Sequence, residues 1–178
     1  MILDALLQFD SAANLAQIVG TYNSTNVIDL GLIGIPASIA GGGGGGARDI
    51  GIGDDPAMKL FSEVTTAFTS GGAGTLGLVL QGAPDNGSGA PGTYSTFWTG
   101  PVFALATLVA GAELANIDMP KVPAGVSTPR FLRLQYVIGG ATMTAGIVES
   151  LLVLDRFDQL KGTTGALSGY PAGVTVAN

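Results

Sequence analysis

Apolar and polar residues alternate at Leu76, Leu78 and Leu80, and again at Leu132, Leu134, Tyr136 and Ile138. A period of two puts each set on one face of an extended chain, so both segments are predicted to be half-buried β-strands. Met58, Leu60 and Val64 form a similar face, with Lys59, Glu63 and Thr65 opposite. Residues 147–154 are apolar on both faces, the pattern of an interior strand covered on both sides. Residues 70–74, 84–92 and 120–129 are rich in Gly and Pro, which exclude long helices and mark turns. Short strands with such punctuation predict an all-β fold, a jelly-roll-like β-sandwich with long Gly/Pro-rich loops.

Two segments also have helix-compatible spacing. Leu3, Leu6 and Leu7 are one; residues 102–115, rich in Ala and Leu, are the other. In the second, Phe103, Leu105, Thr107 and Val109 alternate as a strand does, and strand is the preferred reading. Six consecutive glycines at 41–46 are costly to order and predict a flexible surface loop within an insertion at 32–47. The chain of 178 residues is long enough for one domain with its own core, spanning 1–178. Residues 1–10 form an amino-terminal arm and 159–178 a carboxy-terminal extension.

Composition sharpens this picture. Charged residues make up 11% of the chain against 47% hydrophobic, so much of the surface is uncharged. Such a surface favours a subunit that is covered in an assembly. The net charge of −6 and seven scattered basic residues lack the electrostatic footprint of nucleic-acid binding. The uncharged stretches are broken by Gly and Pro, and the most apolar, residues 102–112, is shorter than the roughly 20 residues of a membrane helix; Met1-Ile2-Leu3-Asp4 has no basic segment of a secretory signal, so synthesis in the cytoplasm is expected.

Chemistry has little to work with. Histidine and cysteine are both absent, which removes the commonest general base, the Ser-His-acid triad and the usual zinc ligands. Asp54-Asp55 and Asp155 with Asp158 are the nearest carboxylate pairs, and a glycosidase can work with two acids across a sugar; solvated carboxylates are the preferred reading. Gly87-Ser88-Gly89-Ala90-Pro91-Gly92 matches a dinucleotide fingerprint in letters only, because Pro91 and the absence of a following amphipathic helix break its context. The glycine run is followed by Ala47-Arg48-Asp49 and not by the Gly-Lys-Ser/Thr of a phosphate loop. Asp85-Asn86-Gly87 lacks the alternating acids and terminal Glu of a calcium loop and reads as a turn. No cofactor, metal or catalytic residue is expected.

Two apolar groups are candidates for subunit contact. Tyr94, Phe97 and Trp98 are an aromatic cluster suited to packing or, alternatively, to stacking on a sugar in a carbohydrate-binding or adhesion module. Met1, Ile2, Leu3, Leu6, Leu7 and Phe9 crowd the amino-terminal arm, which packs either on its own sandwich or on a partner.

A set of ordered words carries a family resemblance. These are Met1-Ile2-Leu3-Asp4 with Leu6-Leu7, Ser24-Thr25-Asn26-Val27-Ile28-Asp29-Leu30-Gly31, Arg48-Asp49-Ile50-Gly51-Ile52-Gly53 and Leu80-Gln81-Gly82-Ala83-Pro84-Asp85. Further on stand Leu105-Ala106-Thr107-Leu108-Val109-Ala110-Gly111-Ala112, Arg130-Phe131-Leu132-Arg133-Leu134-Gln135-Tyr136, Thr144-Ala145-Gly146 and Leu154-Asp155-Arg156. Together they resemble the capsid cement proteins of short-tailed bacteriophages of the Bordetella phage type. The resemblance implies a jelly roll on the exterior of an icosahedral head, forming homodimers that bridge major capsid protein subunits, with no catalytic role. It covers residues 1 to about 158. Segments 32–47 and 159–178 depart from the pattern, so no contact is carried over to them.

Overall fold

The computed structural model describes residues 7–31 and 58–153. Among these described residues nine strands run in chain order: β1 Gln8–Asn14, β2 Gly20–Asn23, β3 Ile28–Asp29, β4 Lys59–Ser70, β5 Thr75–Ala83, β6 Ser95–Ala104, β7 Glu113–Asp118, β8 Phe131–Gly139 and β9 Met143–Val153. The described residues contain no α-helix; a 3₁₀ turn spans Leu105–Thr107.

The strands form two antiparallel sheets. One has the order β1-β9-β4-β7; the other has the order β2-β8-β5-β6, with β3 also paired to β8. With β2 and β3 counted as one interrupted strand along β8, first pairs with last, second with next to last, and so inward to β5 with β6. That is a long antiparallel hairpin folded over on itself, which brings β4 beside β9 and β5 beside β8: the jelly-roll sandwich predicted from the sequence.

The alternating segments lie where the pattern puts them. Leu76, Leu78 and Leu80 of β5 and Leu132, Leu134, Tyr136 and Ile138 of β8 face inward and are fully buried. Leu60, Val64 and Phe68 of β4 and Val148 and Leu152 of β9 meet them from the other sheet in one core cluster. β9 lies between β1 and β4; it is buried on both faces at its carboxy-terminal end, residues 150–153, while Thr144 is exposed and Ile147 and Glu149 are half-buried on the outer side. On its far face Leu151 and Val153 join Phe61 in a second, smaller cluster.

The strand reading of residues 102–115 holds only at its two ends. β6 stops at Ala104, the 3₁₀ turn follows, and β7 begins at Glu113 in the opposite sheet. The hydrogen bonds give the reason. Leu108 O accepts from Phe68 N (2.9 Å), Gly111 N donates to Val64 O (2.7 Å) and Ala112 O accepts from Val64 N (2.9 Å). The backbone of this connection is already satisfied by β4, while Leu108 is buried in the core and Gly111 turns the chain at φ 83°. Alternation of apolar residues here marks a crossing between sheets.

A polar chain spans the sandwich through the apolar core. Tyr136 of β8 donates from its hydroxyl to Asp10 Oδ2 of β1 (2.8 Å), and that hydroxyl also lies 2.9 Å from Ser150 Oγ of β9. Ser150 Oγ is 2.8 Å from Ser62 Oγ of β4, and Asp10 Oδ1 accepts from Thr25 N (2.9 Å). Burial, together with the adjoining Asp10 carboxylate, raises the Tyr136 phenol above its ordinary value, so it remains a proton donor.

Candidate interaction surfaces

The aromatic cluster is divided by a bulge. Leu80 pairs with Trp98 and Gln81 with Thr96, which leaves Phe97 as the extra residue of β6. Phe97 is buried against Gly82 and Pro129: a Cβ on Gly82 would stand 2.7 Å from the Phe97 ring and 2.9 Å from Pro129. Trp98 packs half-buried on the same core, its ring lying along Gly100. Tyr94 sits apart, with the Arg133 guanidinium 3.7 Å from its ring centroid. Arg133 Nε in turn donates to Gln81 Oε1 (2.8 Å) on the outer side of β5. Desolvation raises the Tyr94 phenol, against the opposing effect of Arg133. The three aromatics therefore share no single exposed face.

Of the arm residues, Phe9 is 0% exposed in the core and Leu7 packs against that core. Met1, Ile2, Leu3 and Leu6 lie outside the described residues, as do residues 32–47, Asp54, Asp55, Asp155, Asp158 and the segment 159–178.

One polar cluster was not foreseen from the sequence. Arg130 donates through Nε to Asp29 Oδ1 (2.9 Å) and through Nη2 to Asp29 Oδ2 (3.0 Å), and through Nη1 to Asp85 Oδ2. The Asp85 Oδ1 atom accepts from Gly87 N (2.8 Å) and Gly89 N (2.9 Å). These backbone donors come first among the causes that hold the Asp85 carboxyl below its usual range, and Arg130 adds to them. The turn read at Asp85-Asn86-Gly87 is thus correct and has a second role. It ties the β5–β6 loop to β3 and to the start of β8. Asp29, Asp85 and Arg130 come from three different words of the family resemblance, and nothing in their spacing announces that they meet.

The two outer faces differ in charge. On the β2-β8-β5-β6 sheet, register places Thr21, Val137, Gly77 and Val102 side by side across four strands. Gly139, Thr75 and Ala104 form the row on one side, and Asn23, Gln135, Val79 and Thr99 the row on the other. These rows carry no charged side chain, yet Val102 is 71% and Val137 36% exposed. On the outer face of β1-β9-β4-β7, Glu63 pairs with Glu149 of β9 on one side and Glu113 of β7 on the other. That places three carboxylates in one row. Among the described residues no set of acidic side chains is arranged to hold a metal ion, and no helix is long and apolar enough to cross a membrane.

Strand order and inward-facing core define the class of this protein, a jelly-roll β-sandwich with contrasting outer faces. Within that class, residues 13–152 match the model of the Bbp16 family, a family of Bordetella phage proteins, and the chain belongs to it. No curated protein matches the chain.

Proposed function

We propose that this chain is a capsid cement protein, which binds the outside of an icosahedral phage head and stabilises contacts between major capsid protein subunits. The observation that carries this reading is that the match to a phage family runs from within β1 to within β9. What the family shares is therefore the sandwich itself, with its exposed faces. The mechanism is linkage. A protein that binds the assembled shell and not its loose subunits adds its binding free energy to shell stability, with no covalent chemistry. On this reading the protein resides on the virion exterior after synthesis in the bacterial cytoplasm, and works as a homodimer.

The rival reading as a carbohydrate-binding or adhesion module relied on Tyr94, Phe97 and Trp98 as one stacking platform. Phe97 is buried and Tyr94 is engaged by Arg133, so that platform has no support in the geometry. The decisive experiment compares particles with and without the protein: those lacking it should release their genome at lower temperature and after milder osmotic shock. Equal resistance of both particles, or absence of the chain from purified virions by mass spectrometry, would overturn the cement role.

A further inference from the structure

The turn at residues 84–92 carries chemistry that the cement reading does not use. Asn86-Gly87 is the one Asn-Gly pair of the sequence, and both residues are exposed. In a flexible chain such a pair deamidates. The glycine nitrogen, with no side chain beside it, attacks the Asn Cγ: the N–Cγ bond forms, the Cγ–Nδ2 bond breaks, and ammonia leaves with the proton that the glycine nitrogen gives up. Water then opens the cyclic imide to aspartate or isoaspartate. The turn itself demands the glycine. Gly87 reverses the chain at φ 92° inside a hairpin closed by Asn86 N to Ala90 O (2.9 Å) and Gly92 N to Pro84 O (2.8 Å), so a side chain at 87 would be strained even though nothing stands within 4 Å of its Cβ.

We infer that Asn86 is a deamidation site that the folded protein holds shut, with the Asp85 carboxylate as the blocking group. Asp85 Oδ1 accepts the Gly87 N–H at 2.8 Å. The electron pair that attacks forms along the N–H bond being broken, and here that bond points at Asp85 and not at Asn86 Cγ, so the reacting orbitals are misaligned. The nitrogen also gains negative charge as its proton leaves, directly beside a carboxylate, and like charges at this range oppose the step. Asp85 stays ionised because Gly87 N and Gly89 N donate to it and Arg130 pairs with its other oxygen. Ser88 is not the block. Its N and Oγ donate to Asn86 Oδ1 at 2.9 and 2.7 Å, and donors on that oxygen favour the charge that develops there during attack. Arg130 is held in turn by Asp29, so the group that protects Asn86 is set in place by β3 and the start of β8. Conversion would add a negative charge beside Asp85, and isoaspartate would lengthen the backbone at the tip of the hairpin.

The purified full chain tests this without a capsid, so the outcome is independent of the cement reading. After incubation at mildly alkaline pH, peptide mass spectrometry measures how fast Asn86 becomes aspartate or isoaspartate. The folded wild type should convert at least about tenfold more slowly than the same chain unfolded in guanidinium, the factor that one charge-assisted hydrogen bond implies. Asp85→Ala should remove most of that difference while a thermal melt shows the sandwich still folded. Ser88→Ala, which leaves Gly87 on Asp85, should convert no faster than the wild type. Should Asp85→Ala fail to fold, hydrogen exchange of the wild-type Gly87 amide decides: protection supports the block, and exchange at the rate of an unfolded chain overturns it. Equal rates in folded and unfolded wild type, or an Asp85→Ala protein that folds and converts no faster, also overturn the inference. So does a Ser88→Ala protein that converts as fast as Asp85→Ala, because the order of the whole tip would then be the barrier and not the carboxylate.

Discussion

Replacing Tyr136 with Phe tests the polar chain that joins the two sheets. The ring keeps its volume in a site that is 1% exposed, so the perturbation is confined to the loss of one hydroxyl. Asp10 Oδ2, on a residue that is 3% exposed, then loses a donor at 2.8 Å, and Ser150 loses a neighbour at 2.9 Å. A hydrogen bond to a charged group contributes about 1.5–3 kcal/mol, and an unsatisfied buried partner costs a similar amount, so Tyr136→Phe should destabilise by about 2 kcal/mol. For a domain of this size each kcal/mol lowers Tm by roughly 2–4 °C, giving a fall of about 4–8 °C. Urea unfolding at pH 7 measures it. A double-mutant cycle with Asp10→Ala should return a coupling of at least about 1 kcal/mol, because the two residues share a bond across the sandwich. If Tyr136→Phe changes stability by less than about 0.5 kcal/mol and the coupling vanishes, the chain of hydrogen bonds is not what locks the sheets together.

Gly82→Ala should cost about 1–3 kcal/mol, since its Cβ would press on Phe97 and Pro129, whereas Gly77→Ala, whose Cβ would meet only ordinary contacts, should leave stability nearly unchanged; paired thermal melts distinguish them. Asp85 has its carboxyl held below its ordinary value of 3.8 in the folded state, so the native protein binds fewer protons than the unfolded chain there. Its stabilising contribution is complete above that value and lost as pH falls through the lowered one. Asp85→Asn should therefore flatten the acid side of the stability curve measured by urea titration between pH 2 and 5, and an unchanged slope would count against the Arg130 cluster. Deleting residues 2–6 separates the arm from the core, as a deletion reaching Phe9 does not. If the arm reaches a partner, this deletion should reduce dimerisation or capsid occupancy while the melting temperature changes little; a large fall in melting temperature alone would place the arm on its own sandwich.

The strands that could be read in advance are the interior ones. β5, β8 and β9 bury a full inward face, and burial writes a period of two, or an unbroken apolar run, into the residues themselves. The edge strands left weaker traces. β1, Gln8-Phe9-Asp10-Ser11-Ala12-Ala13-Asn14, pairs on one side only, carries register shifts, and buries Phe9 beside Asp10. β6 holds Gly100 and Pro101 and a bulge at Phe97, so its aromatics do not alternate even though the backbone is extended. The crossing at residues 105–112 misled for the converse reason: its side chains alternate, but its backbone hydrogen bonds go to β4.

By itself the sequence determined the class of fold, through the periodicity of its buried strands, and excluded histidine and cysteine chemistry, through the absence of those residues. It also supplied the words that resemble the phage family to which the chain belongs. Only the tertiary structure decided which residues meet. Asp29, Asp85 and Arg130 converge from three distant segments, as do Asp10, Tyr136, Ser150 and Ser62, because pairing β1 with β9 and β3 with β8 joins residues more than a hundred positions apart. The charge contrast between the outer faces arises in the same way. Local pattern fixes which side of its own strand a residue occupies, while strand order and register decide which residues from other strands stand beside it.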